Sequence, residues 1–94
     1  MVYWVYMLKC SDGSFYIGQT SDLELRLYQH HQRYFPRCYT ASRLPVSLVY
    51  HTSFESRYSA LARERQIKKW SRKKKQALVD GDWAELSNLA KSKK

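Results

Sequence analysis

Ser11-Asp12-Gly13 interrupts two runs rich in aromatic and β-branched residues, Val2–Cys10 and Ser14–Thr20, and no other stretch restricts the fold as much. Asp-Gly between such runs predicts a tight antiparallel reversal, because glycine enters the positive-φ region that a short turn requires. Turn length then sets the register. A three-residue turn places Cys10 opposite Ser14, Leu8 opposite Tyr16 and Tyr6 opposite Gly18. Tyr6 and Tyr16 then lie diagonally on one face, with open space beside them at Gly18. A two-residue turn would put the two tyrosines on opposite faces. The three-residue form is the one expected.

The remaining chain alternates helix and strand signals. Ser21 or Asp22 caps a helix running to about Arg33, with Glu24 in its first turn. Tyr34–Pro45 reads as a basic loop, and Val46–His51 as a third strand that starts once Pro45 has ended the loop. Ser56 caps a helix from about Arg57 to Trp70, and Ser71 caps another ending near Val79 ahead of Gly81. Asp82 caps a last short helix with Trp83, Leu86 and Leu89–Ala90 facing inward. The order implies an α+β fold: a three-stranded antiparallel sheet, built from the N-terminal hairpin plus the third strand, packed against helices. Residues 1–90 suffice for a single small domain, with 91–94 as a basic C-terminal tail.

Seventeen Lys and Arg against eight Asp and Glu give a net charge of +9 and a pI near 9.8. So large a charge on so short a chain points to a polyanionic partner, nucleic acid ahead of an anionic membrane surface. No apolar run is long enough to span a bilayer, and Met1 leads straight into strand pattern rather than a secretion signal. Cys10 and Cys38 have neither metal-ligand spacing nor the context of a disulfide framework. The expected location is cytoplasmic.

Three groups of residues carry possible chemistry. Glu64 is the only acid between Ser56 and Val79, yet it projects with the inward stripe of Ala60 and Ile67 inside a strongly basic segment. A carboxylate there repels a phosphate unless a hard divalent cation lies between them. A salt bridge to Arg63, Lys68 or a sheet residue is the competing reading. Arg26 and His30, four residues apart, share one helical edge. They suit a phosphate's charge and a proton transfer, or else are a surface arginine and a histidine bordering the core. Tyr6 and Tyr16 are sheet packing residues unless a cation lowers the cost of a phenolate; Arg26 and a metal on Glu64 would supply one.

Val5-Tyr6, Tyr16-Ile17-Gly18, Arg26, His30 and Glu64 stand in the order found in the GIY-YIG nucleases, and the chain resembles that family. The segment Arg63–Trp70 is similar to the glutamate helix of its small stand-alone bacterial branch, as are the Pro45–Tyr50 and Ser71–Leu78 runs. Trp4 stands where the family often has glycine, and Asn88, the one asparagine, is not assigned the late site position many members fill. The resemblance implies metal-dependent hydrolysis of phosphodiester bonds in DNA. Glu64 would hold one divalent cation, Mg²⁺ or Mn²⁺, and Arg26 would stabilise phosphoryl charge. Tyr6 or Tyr16 would orient or deprotonate the attacking water, with His30 assisting proton traffic and Gln19 a further lining candidate.

For binding, Arg37, Tyr39 and Arg43 of the loop, with Lys68, Lys69, Arg72 and Lys73, are expected to track phosphates without reading bases. Tyr34, Phe35 and Tyr39 are candidates to stack on unpaired bases. A solvated helix face is the alternative for Arg72–Lys75. Two functions therefore compete: a nuclease acting on branched, damaged or single-stranded DNA, and a non-catalytic nucleic-acid-binding module with the same fold. A basic ribosome-associated protein is the third possibility. DNA ranks ahead of RNA, no small-molecule cofactor is implied, and a partner protein is a possible source of targeting.

Overall fold

The reversal at Ser11-Asp12-Gly13 takes the three-residue form. In the computed structural model, which describes residues 1–86, it joins β1 (Tyr3–Lys9) to β2 (Phe15–Thr20). Gly13 sits at φ 85°. Its N–H donates to the Cys10 carbonyl at 2.9 Å, and the Cys10 N–H donates to the Ser14 carbonyl at 2.8 Å. Asp12 reinforces the turn by accepting from the Ser14 N–H at 3.0 Å. Tyr6 consequently pairs with Gly18 and Leu8 with Tyr16, which sets both tyrosines on one face.

Strand β3 (Ser47–Phe54) lies antiparallel on the other edge of β1, giving the order β2-β1-β3. It runs past the expected His51 because Ser53 and Phe54 pair with Trp4 and Tyr3, and Phe54 packs on the core. An irregularity between Met7 and Leu8 sets Tyr50 opposite Met7 and Leu48 opposite Leu8, leaving Val49 as an extra residue.

Each helix begins where a short polar side chain satisfies a free N–H. Asp22 caps α1 (Leu23–His31) by accepting from the Leu25 N–H at 3.1 Å. Ser56 caps α2 (Arg57–Lys68) and Ser71 caps α3 (Arg72–Asp80), which Gly81 closes at φ 70°. Helix α2 stops short of Trp70, since the chain must become extended at Ser71 to cap the next helix. Residues 83–86 are helical, and Asp82 accepts from the Glu85 N–H at 3.1 Å.

Alternation along β1 sends successive side chains into two layers. Val5, Met7 and Ile17 pack against Ala60 and Ile67 of α2 and Leu78 of α3. Tyr6, Leu8 and Cys10 form the opposite layer, against Val46 and, from α1, Leu23 and Leu27. Burying Met7 or Ile67 completely, as here, contributes about 1.5–3 kcal/mol each. One expectation fails. Trp83 is 65% exposed rather than inward-facing; Ala77, Leu78 and Val79 already fill the core beside α3, and only Leu86 joins them. Leu89–Ala90, Asn88 and the basic tail lie outside the described residues. Among those described, no helix is long and apolar enough to cross a membrane.

Candidate active site

The face of the hairpin that carries both tyrosines is covered by the last turn of α1 and by the loop that follows it. The Tyr6 hydroxyl lies 2.9 Å from His30 Nε2, and both residues are buried. On the far side of the imidazole, Nδ1 lies 2.9 Å from the Thr40 hydroxyl. That hydroxyl donates in turn to Cys38 Sγ at 3.5 Å. The Tyr16 ring meets the imidazole edge-on at 5.3 Å and stands 6.4 Å from the Tyr6 ring. Phe35 closes the imidazole at 5.8 Å. One helical turn before His30, Arg26 lays its guanidinium over Phe35 at 5.3 Å.

Burial and one cation dominate the electrostatics. Burial pushes the Tyr6 phenol up to about 12, against the opposing pull of the Arg26 charge. Tyr16 is also raised, by burial and then by Tyr6, with Arg26 again opposing. His30 is lowered, by burial and then by Arg26 and His31, and is a neutral imidazole at neutral pH. Burial raises the Cys38 thiol, but hydrogen bonds from Thr40 and Tyr16 outweigh it and leave Cys38 below its ordinary value. Arg26 is thus the charge felt by both phenols and the imidazole.

Glu64 belongs to the other layer, on α2. Its side chain is only 13% exposed, and its charge adds a little to the rise that burial imposes on the Tyr6 phenol. The competing reading holds in part: Lys68 pairs with Glu64 at 3.0 Å, with the lysine 55% exposed. No cluster of three His, Cys, Asp or Glu suited to a metal occurs among the described residues. Mg²⁺ keeps several waters and is held by one or two carboxylates plus substrate phosphate. Glu64 fits that part.

The expected nucleic-acid contacts divide. Arg43 and Tyr39 are engaged within the chain: the guanidinium stacks 3.8 Å over the Tyr39 ring, pairs with Asp12 at 3.1 Å and donates to the Tyr39 carbonyl at 2.7 Å. Tyr39 itself stacks on Tyr16 at 6.4 Å. Phe35 is likewise committed inward, and of the three loop aromatics only Tyr34 is largely free, at 63% exposed. Arg72 donates to the Gly13 carbonyl at 2.6 Å and covers Phe15, fastening α3 to the hairpin turn. Lys73 approaches Glu85 at 3.9 Å. Arg37 and Lys69 are exposed and, among the described residues, have no ion-pair partner. Lys69 lines a groove of about 470 Å³ with Tyr58, Arg65 and Trp70, on a face of α2 away from the tyrosines.

Sequence reasoning missed Thr40, Cys38 and the structural part of Phe35. A small polar residue in a loop gives no periodic signal, and only the folded chain sets Thr40 against the imidazole.

Known proteins share this sequence pattern and fold. The GIY-YIG catalytic domain family matches residues 2–77. A UPF0213 protein of Bacillus pumilus is 41% identical over 78 residues, spanning 83% of this chain and 79% of the relative. A UPF0213 protein of Haloquadratum walsbyi is 42% identical, spanning 83% and 86%. The solution NMR structure of a UPF0213 protein from Bacillus halodurans superposes with a TM-score of 0.56 at 39% identity, covering 85% of this chain and 84% of that one. An E. faecalis protein, also solved by NMR, gives a TM-score of 0.61 at 32% identity, covering 89% and 88%.

Proposed function

Because the chain belongs to the GIY-YIG family, in a small stand-alone branch shared with the UPF0213 proteins, we propose that it is an endonuclease hydrolysing phosphodiester bonds in DNA with one divalent cation. The observation that carries this reading is the convergence of Tyr6, Tyr16 and His30 beside Arg26, with the largely buried Glu64 carboxylate on α2, which packs on the same strands. Arg26 neutralises charge that develops on the phosphoryl oxygens, the kind of preorganised help that contributes most in such a step. On this reading Tyr6 or Tyr16 orients or deprotonates the attacking water, and the lesser burial of Tyr16 favours it for the contact. Tyr6 is sealed against His30. Glu64 holds the cation, which when bound supplies Lewis-acid polarisation of the scissile phosphate.

The substrate is branched, damaged or single-stranded DNA, as in repair. The protein acts in the cytoplasm and a partner protein supplies targeting; two free cysteines suit a reducing compartment. Exposed Arg37 and Lys69 contribute sequence-independent phosphate contacts.

Cleavage of supercoiled, single-stranded and branched DNA by wild type, Glu64→Ala and Arg26→Ala tests the reading. Cation-dependent cleavage that both variants lose, with most DNA binding retained by Glu64→Ala, supports it. Equal cleavage by all three indicates a contaminant and removes it. One observation favours a non-catalytic DNA-binding module instead: Lys68 already pairs with Glu64. On that reading wild type binds DNA in a salt-sensitive way and never cleaves it.

A further inference from the structure

We infer that Thr40 is a positioning residue: it holds His30 with its proton on Nδ1, so that Nε2 accepts from Tyr6 and the phenol oxygen is left as an acceptor facing away from the imidazole. Its catalytic meaning rests on the nuclease reading; the tautomer itself does not.

Each ring nitrogen of His30 has one hydrogen-bond partner, Tyr6 at Nε2 and Thr40 at Nδ1, both at 2.9 Å. Tyr6, His30 and Thr40 are 0%, 2% and 1% exposed, so water does not compete for these bonds. A neutral imidazole carries one proton, and its place follows from the neighbours. Thr40 also carries a single hydroxyl proton, which it donates to Cys38 Sγ at 3.5 Å. Its oxygen is then an acceptor for Nδ1–H.

The other end of the chain requires the same arrangement. A phenol is a stronger acid than a neutral imidazole N–H, so in the Tyr6–His30 pair the phenol donates. The reverse tautomer would aim Nε2–H at the Tyr6 oxygen and make the phenol the acceptor of the pair. It would also leave the Tyr6 proton without an acceptor among the described residues. The run Tyr6 O–H to Nε2, Nδ1–H to Thr40, and Thr40 O–H to Cys38 thus points in one direction throughout. Thr40 sits on a 3-10 turn, Tyr39–Ser42, whose Ala41 is also buried, so its side chain is held rather than free to rotate away. A ring nitrogen held in the wrong protonation state costs catalysis even when the geometry is intact.

Long-range ¹H–¹⁵N spectra of the full chain labelled with ¹⁵N-histidine read the tautomer directly, with the His30 signals assigned by their loss in His30→Gln. Wild type near pH 7.5 is expected to show a protonated Nδ1 and an unprotonated Nε2. Thr40→Val keeps the shape and removes the hydroxyl, and a buried N–H without a partner is costly. In that variant the proton moves toward Nε2, and the maximal rate of DNA cleavage falls at least about tenfold with KM unchanged. Thr40→Ser restores both. A wild-type spectrum with the proton on Nε2, or a Thr40→Val spectrum identical to wild type, overturns the inference. Should Thr40→Val fail to fold, the wild-type and Thr40→Ser spectra still decide. An Nδ1–H signature in a protein that cleaves no DNA upholds the role of Thr40 and removes the nuclease reading.

Discussion

Gly18 lies directly across the hairpin from Tyr6, and the tyrosine ring occupies the place where a side chain at 18 would stand. A Cβ added there would collide with the Tyr6 hydroxyl and ring. The family's paired tyrosine and glycine motifs therefore meet physically: glycine lets the ring lie flat across β2 and reach His30. Gly18→Ala overpacks a site in which Tyr6 is fully buried. The expected cost is about 1–3 kcal/mol, read from the denaturant midpoint, with the Tyr6–His30 bond lost.

Lys68 competes with any cation for Glu64. Lys68→Gln is expected to lower the Mg²⁺ concentration needed for half-maximal cleavage while changing stability by less than about 0.5 kcal/mol. Glu64→Gln removes cleavage at every Mg²⁺ concentration. A cation titration of each variant checks both.

Burial and then the Arg26 charge hold the His30 pKa down, and Arg26 opposes the rise that burial imposes on both phenols. Arg26→Gln should therefore raise the His30 pKa, measured by NMR titration. Cleavage should fall by roughly 10²–10³-fold.

His30 also makes stability depend on pH. Burial lowers its folded pKa from the ordinary 6.5, so below that value the unfolded chain binds the extra proton first. The contribution is fully present above about 6.5 and is lost as pH falls toward the folded value. The melting temperature should drop between pH 7.5 and 5.5, and His30→Gln should flatten that slope.

The hairpin was legible in the sequence because its turn is local: Gly13 adopts positive φ, and once a three-residue turn is chosen over a two-residue one the pairing follows by counting. Asp22, Ser56, Ser71 and Gly81 were legible for the same reason, since a cap is a local bond. Register paired Tyr6 with Tyr16 and helical spacing paired Arg26 with His30, while their meeting at one site was what the family resemblance implied. What local pattern does not encode is which long-range partner a side chain finds. Tyr39 and Arg43 read as ligands for a polyanion, but Tyr16 and Asp12 claim them. Trp83 read as core, but the space beside α3 was already filled. Thr40 carried no signal, because its partner lies in another element.

The hairpin tip works as a clasp. Asp12 grips Arg43, the Ser11 N–H bonds the Arg43 carbonyl at 2.9 Å, and the Gly13 carbonyl receives Arg72. No phosphate reaches Tyr6 or His30 while the strap carrying Tyr39 and Thr40 stays shut over that dry interior. Its ionic latch, Asp12 with Arg43, is open to water and is therefore weakened by salt. Loosening that pair leaves the strap still fastened by the Tyr39–Tyr16 stack and the Thr40–His30 bond.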